Sequence, residues 1–439
     1  MIKCAFYEKE ITPPLGCNLP GYGNLRAGSD VKDRLMAKAC VILDENETVA
    51  LIAIDCLHIT HDIRDEIAKR VNEFTPIKEE NVLVAATHTH TGIPQKGYDS
   101  DQKAAENQNC YFDIFPKLIA DCAILAYKRL EYSQIYFAMG KVDGISFCRD
   151  YIMKNSTPRT NPGRLNPDII KPVSQTDNEL PVIFIKNADG KPMGAITAFA
   201  CHQDCVGGTE YSGDFSSEIS NQMKKSFGQD FVILFFEGTA GDINHFNVNT
   251  ASDEPDHYRK MGLKLSGEII KNISFAEKIK SENIKCRFEK IKIDRVEVDE
   301  EKIARAKHII ETVKPIPGIK IAADGTSKEQ YDLMMAKKLL WMLETSPEIF
   351  DIPLHYIQIG DIDFFGLPSE IYCYFGTNLK ERNNNKNCIV ATCCNGAYGY
   401  VPTKDMFYDT IYESTPGSNR MDKNAGYIMV DKLIEMSKQ

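Results

Sequence analysis

The chain is predicted to be an α/β protein whose mixed, largely parallel sheets are flanked by helices. Short apolar runs alternate with amphipathic helical stretches in three strand–helix–strand units. No short-period repeat or low-complexity linker divides the 439 residues, so a single domain spanning residues 1–439 is expected.

In the first unit, "TVALIAID" (48–55) reads as a buried strand. The helix "DIRDEIAKRVNEF" (62–74) follows, with Ile63, Ile67, Val71 and Phe74 on one face, and "NVLVAAT" (81–87) is the next strand. Parallel pairing of the two strands would make the crossover right-handed. The second unit is "GAITAFAC" (194–201), the helix "FSSEISNQMKKSF" (215–227) and "FVILFFEG" (231–238). The third is "DIDFFGL" (361–367), a helix around "SEIYCYFGTNLKER" (369–382), and "NCIVATC" (387–393). A helical insertion at about 299–345 interrupts this pattern with two helices separated by "KPIPGIKIAADGTS". Leu333, Ala336, Leu340 and Leu343 form an apolar face on its second helix, read as packing rather than a lipid-facing surface.

Composition narrows the class. Hydrophobic residues make up 43% and charged residues 26%, as in soluble globular proteins. A net charge of -10 opposes nucleic-acid binding, which needs a basic face. The start "MIKCAFYEKEITPP" has no export-signal pattern, and "FVILFF" is too short to cross a bilayer, so no stable membrane insertion is expected. Fourteen cysteines without repeating spacing fit reduced thiols, and a cytoplasmic location is expected. The adjacent Cys393 and Cys394 read as core.

"NVLVAATHTHTGIPQ" (81–95) ends a strand with His88 and His90. In an extended chain residues two apart point to the same side, so both imidazoles can meet one partner. Other polar residues follow other strands: His202 after "AFAC", the turn "GTAGDINHFN", Glu370 after "FFGLP", and Tyr398 and Tyr400 in "GAYGYVP". Ligands of open α/β sheets bind outside the carboxyl ends of strands. Two histidines, a carboxylate and a phenolate suit zinc, which can activate water for attack on a carbonyl. A two-metal phosphatase pattern fails because Asp55 and His58 have the wrong gap and Phe246 follows His245. No Gly-x-Ser-x-Gly elbow is present for a serine nucleophile.

Taken together, "EITPPLGCNLPGYGN" (10–24), "ATHTHTG" (86–92), "CRD" (148–150), "FACHQD" (199–204), "YSGDFSSE" (211–218), "GTAGDINHFN" (238–247), "FGLPSEIY" (365–372) and "YGYVPTKDMFYDTIYE" (398–413) resemble the neutral, non-lysosomal ceramidases. These are zinc-dependent amidases that cleave the N-acyl bond of ceramide. The resemblance implies Zn2+ ligands at His88, His202, Glu370 and Tyr400. It implies that His90 acts on the substrate, and places a catalytic arginine at Arg149 and a catalytic tyrosine at Tyr412.

Two departures accompany the resemblance. Family members carry Gly-Asp-Val-Ser-Pro-Asn with a catalytic serine, where this chain has Asn244, which cannot be a hydroxyl nucleophile. Asn244 is therefore expected to orient substrate or bond the oxyanion. The family's C-terminal immunoglobulin-like domain is not represented. Other polar residues have plainer readings: His58 and His61 as cap-region or surface groups, Asp214 as a helix cap, and Asp55 and Asp204 as either histidine partners or strand ends. His245 has no assigned role. The expected activity is zinc-dependent hydrolysis of an amide in a small, soluble, polar substrate through metal-activated water. Esters, lactones or sugar derivatives are the alternative substrates, and a non-catalytic metal-binding relative is the third reading.

Overall fold

The structure is a computed structural model and describes residues 1–22, 26–94, 102–316 and 327–438. Gly23 and Asn24 of the "GYGN" stretch, Gln95 and residues 317–326 of the connection inside the helical insertion lie outside the described residues.

The longer elements, in chain order, are β1 (Lys3–Glu10), β2 (Met36–Leu43), β3 (Thr48–Ile54), α1 (His61–Phe74), β4 (Val82–Ala86), α2 (Gln102–Phe112) and α3 (Phe115–Tyr127). They continue with β5 (Glu131–Lys141), β6 (Glu179–Asn187), β7 (Pro192–Phe199), α4 (Asp214–Phe227), β8 (Val232–Glu237) and α5 (His257–Ile273). The last part holds β9 (Ile284–Asp294), α6 (Glu300–Thr312), α7 (Lys328–Thr345), β10 (Ile349–Ile359), β11 (Ile362–Gly366), α8 (Cys373–Arg382), β12 (Cys388–Ala391) and α9 (Ala425–Lys438).

The strands form one large sheet, ordered β8-β7-β6-β5-β1-β2-β3-β4, and a second ordered β9-β10-β11-β12. The three predicted units give three parallel pairs, β3 with β4, β7 with β8 and β11 with β12. Each pair lies at a sheet edge, and antiparallel pairing joins the strands between them. The sheets are mixed, as expected, but parallel pairing is the minority. The reason is that antiparallel neighbours such as β2–β3 and β6–β7 are joined by short turns, whereas parallel pairing needs a crossover helix.

Burial explains the near-continuous apolar runs. In β3, Ala50, Ile52 and Ile54 face α1 and α3, while Val49, Leu51 and Ala53 face the second sheet. A strand covered on both sides loses the polar alternation of a half-exposed one. Helices α4 and α5 cover the β5–β8 half of the large sheet, and α8 and α9 cover the far side of the second sheet. The order of layers is therefore helix, sheet, sheet, helix.

Two details differ from the sequence reading. Phe74, placed on the buried face of α1, is the last residue of that helix and is 54% exposed, with the Arg70 guanidinium over its ring. The apolar side of α7 packs on α6 through Ala336, Leu339 and Met342, with Leu340 and Leu343 only half-buried. All fourteen cysteines are free, Cys393 and Cys394 being buried. No helix among the described residues is long and apolar enough to cross a membrane.

Candidate metal centre

Each predicted ligand hangs just past a strand end, where backbone pairing stops and the chain must turn. His88 follows β4, His202 follows β7, and Glu370 follows β11 and pairs in parallel with Tyr400. The turns are tight enough to force non-glycine residues into the left-handed region: His88 has φ 68, Ser369 φ 73, Cys393 φ 54 and Asn395 φ 59. Such backbone costs roughly 1–3 kcal/mol per residue and persists only where the surroundings impose it. Here they do, since Asn395 donates from its backbone to Val84 O (2.7 Å) and accepts from Val84 N at its side chain (3.0 Å). The positive φ at His88 also corrects the strand-alternation argument. The His88 and His90 rings come together, 5.2 Å apart and edge-on, through a kinked chain rather than an extended one.

Four candidate donors lie close together. His88 Nε2 and His202 Nε2 each lie 3.2 Å from Glu370 Oε2, and the Tyr400 hydroxyl is 3.5 Å from His202 Nε2. Four donors around one tetrahedral zinc at about 2.0–2.1 Å would stand roughly 3.3 Å apart, so the spacing suits an ion. The protonation pattern suits one as well. His88 Nδ1 donates to Leu57 O (2.9 Å) and His202 Nδ1 to Ala240 O (2.8 Å), which turns both Nε2 atoms inward. His88 Nε2 is buried without a well-formed hydrogen bond. Burial pushes the Tyr400 phenol well above its ordinary value, and the Glu370 charge pushes it further. Burial works against the Glu370 carboxylate, yet the His88, His202 and His58 rings hold it well below the usual range.

Glu237, at the end of β8, lies behind both histidines, with Oε2 3.9 Å from His88 Nδ1 and Oε1 3.8 Å from His202 Nδ1. Cys393 donates its thiol to Glu237 Oε2 at 3.3 Å. Burial raises Glu237 to about 8. Burial depresses His88, but Glu237 and Glu370 outweigh it and raise the ring to about 9.

His90 faces the same space, its ring 5.8 Å from that of His202, and neither of its nitrogens has a hydrogen-bond partner. Burial, reinforced by His88, pushes it well below an ordinary imidazole. Gly21 (φ +97) lets the chain cover it, since a Cβ there would sit 2.5 Å from His90 Nδ1. Arg149 donates from Nη2 to Gly241 O (2.6 Å), pairs through Nε with Glu413 Oε1 (2.6 Å), and places Nη1 3.4 Å from His202 Nε2. The Thr160 hydroxyl lies between Glu413 Oε2 (2.7 Å) and Asp150 Oδ1 (2.8 Å). Tyr412 lies ring to ring with Tyr400 at 5.7 Å, and Lys338 Nζ of α7 is 2.5 Å from its hydroxyl.

These groups open into a cavity of about 1910 Å³. Its lining includes His88, His90, Arg149, Glu370, Tyr400 and Tyr412, and also Leu333, Met334, Trp341, Ile349 and Phe350. The lining is mixed rather than mainly polar: Gln330, Lys337 and Asp351 line it together with these apolar side chains.

Several other readings change. Asn244 is absent from the cavity lining; its side-chain oxygen accepts from Phe246 N (3.0 Å) and its amide donates to Asn161 (3.2 Å), which does line the cavity. Asp55 accepts from Met36 N and Thr87, a strand-end brace rather than a histidine partner. Asp204 faces His245 (3.4 Å). Asp214 is the first residue of α4 with φ 56; its carboxylate accepts from Phe215 N (2.7 Å) in the helix's first turn and from Val206 N (2.7 Å), so it holds the helix start and also anchors a loop. His58, taken as a cap or surface group, lies 3.6 Å from Glu370 Oε1. His61 is the exposed first residue of α1 and lines the cavity. Glu237 and Lys338 carried no motif in the sequence, and Glu413 stood only as the unassigned last residue of "YGYVPTKDMFYDTIYE"; the end of the apolar run at "VILFFE" alone marked Glu237 as an unusual buried acid.

Residues 8–254 match the family model described as "Neutral/alkaline non-lysosomal ceramidase, N-terminal". Neutral ceramidase B of Dictyostelium discoideum is 24% identical over 245 residues, 52% of this chain and 33% of its own length. Neutral ceramidase A of the same organism is 22% identical over 253 residues, 53% of this chain and 34% of its own. The matches thus span about a third of these curated relatives. The crystal structure of neutral ceramidase from Pseudomonas aeruginosa shares the fold with a TM-score of 0.74 at 18% identity, covering 99% of this chain and 74% of that one.

Proposed function

Because the chain belongs to the neutral/alkaline non-lysosomal ceramidase family, we propose that it is a zinc-dependent hydrolase of N-acyl amides, with the metal held by His88, His202, Glu370 and Tyr400. The observation that carries this reading is the convergence of His88 Nε2 and His202 Nε2 on one Glu370 oxygen, 3.2 Å from each. When bound, zinc supplies Lewis-acid polarisation and a water acidic enough to attack a carbonyl near neutral pH.

The chain's own residues do the rest. Leu57 O and Ala240 O fix the tautomers of the two ligand histidines, and Glu237 stands behind both. His90, with two unpaired nitrogens facing the cavity, takes and returns a proton. Arg149 is locked by Glu413 and Gly241 O, so its remaining N–H groups are fixed to bond charge developing on the amide oxygen. Tyr412, held by Lys338 and packed edge-on against Tyr400, donates to the substrate. Asn244 acts through Asn161 rather than by touching substrate.

The apolar wall changes the substrate expected. A small-molecule N-acyl compound with an apolar chain, as in a ceramide, matches a cavity lined both by these polar groups and by Leu333, Met334 and Trp341. Acyl amides from acetyl to palmitoyl, with matched esters and lactones, test this. Each methylene buried should add about 0.8 kcal/mol, roughly fourfold in kcat/KM, until the wall is covered. A preference for esters or lactones, or for the acetyl amide, would overturn the substrate assignment. His90→Ala should cut turnover about 10²–10⁴-fold with zinc retained; loss of zinc would make His90 a ligand instead.

A further inference from the structure

Beside the first centre, the proposed mechanism leaves a second set of metal-binding side chains unused. Cys205, His245 and His257 each offer one donor atom, all within 4.8 Å of one another. They come from three segments: the loop after β7 that also carries His202, the turn after β8, and the first residue of α5. The two rings are 5.0 Å apart. His245 is only 8% exposed, and its Nδ1 is enclosed with no hydrogen-bond partner, as is Nε2 of the half-buried His257. Leaving a buried donor or acceptor unpaired costs about 1–3 kcal/mol, which a ligand at this point would remove.

The surroundings complete a metal-binding pattern. His245 Nε2 faces Asp204 Oδ1 at 3.4 Å, the carboxylate–histidine arrangement that orients a ligating imidazole. The Met261 thioether lies 3.3 Å from Cys205 Sγ, adding a second soft sulfur behind the thiol. We propose that Cys205, His245 and His257 bind a second, thiophilic transition-metal ion of the zinc type, separate from the catalytic centre. A thiolate with two imidazoles is a zinc donor set, and donors around one tetrahedral ion stand roughly 3.3–3.6 Å apart, so small side-chain rotations close the site. Cys205 releases its proton to solvent as the metal–sulfur bond forms. The ion ties the start of α5 to the two segments that position His202 and Gly241. Through His245 it also fixes Asp204, a residue of the catalytic cavity.

The full chain, stripped with chelator and reloaded with zinc or cobalt(II), tests this. Two equivalents of zinc per chain are expected, falling to one in Cys205→Ala and in His257→Ala, with folding checked by circular dichroism. The cobalt form should show a near-ultraviolet thiolate charge-transfer band that survives His88→Ala and Cys393→Ala and disappears in Cys205→Ala. In the His88→Ala background zinc should still raise the thermal midpoint. That arm separates the second site from the first, because it requires no catalytic metal. A cobalt form without the band, or a band that survives Cys205→Ala, would overturn the proposal.

Discussion

Replacing Glu237 by glutamine isolates what a carboxylate behind the proposed metal ligands contributes. The substitution keeps the shape, and the Cys393 thiol, which donates to Glu237 at 3.3 Å, can still donate to the amide oxygen. Above about pH 8, where the raised Glu237 carboxyl is ionised and the comparison is made, what disappears is one negative charge, 3.9 Å from His88 Nδ1 and 3.8 Å from His202 Nδ1. Both Nδ1 atoms keep their backbone acceptors, Leu57 O and Ala240 O, so the tautomers stay fixed and the effect is electrostatic. Removing a group that supports metal ligands in this way typically costs 10–100-fold in metal affinity. That corresponds to about 1.4–2.7 kcal/mol. Glu237 serves two histidines at once and is only 1% exposed, so solvent does not screen it and the upper part of the range is expected. Zinc affinity is measured by competition with a chromophoric chelator on Glu237→Gln and the parent chain. An unchanged affinity would refute the role of Glu237; affinity falling as far as in Glu370→Ala would make it a ligand.

Three other outcomes are expected. Glu413→Ala strands the buried Arg149 guanidinium, because Glu413 is fully buried and pairs with it at 2.6 Å, and should cost about 3–5 kcal/mol in equilibrium urea unfolding; a loss under about 1 kcal/mol would show that the pair is not needed. Burial lowers His355 to about 3, and Asn395 Nδ2 donates to its Nδ1 at 3.2 Å, so the ring stays neutral in the fold. The unfolded chain takes up a proton near pH 6.5 that the fold refuses, so this stability is intact above about 6.5 and falls by up to about 1.4 kcal/mol per pH unit down to about 3. His355→Leu should therefore flatten the decline between about pH 6 and pH 4, and an unaltered slope would contradict it. Lys338→Met removes the ammonium 2.5 Å from the Tyr412 hydroxyl and should lower kcat about tenfold or more with zinc content unchanged, by the scale of proton-transfer effects; equal kcat would leave Lys338 a packing residue.

The strand–helix–strand units could be read from the sequence because they are local. An apolar run such as "TVALIAI" and the 3.6-residue periodicity of α1 are set by neighbours in the chain, and all three parallel pairs follow from them. The proposed ligand set came from the family resemblance, and the placement of polar residues past strand ends pointed to the same region of the chain. What the sequence could not determine depends on contacts between distant segments. Antiparallel joints such as β1–β5 decide that parallel strands are a minority, and no local pattern encodes them. His58 reads as a cap residue until the fold brings Glu370 to 3.6 Å from it. Lys338 reaches Tyr412 across 74 residues, and Glu237 serves His88 and His202 from a third strand. The apolar wall of the cavity comes from an insertion that reads, by periodicity alone, as packing. Periodicity reports which side of an element is apolar, but only tertiary packing decides whether that side meets a core, a cavity or a substrate.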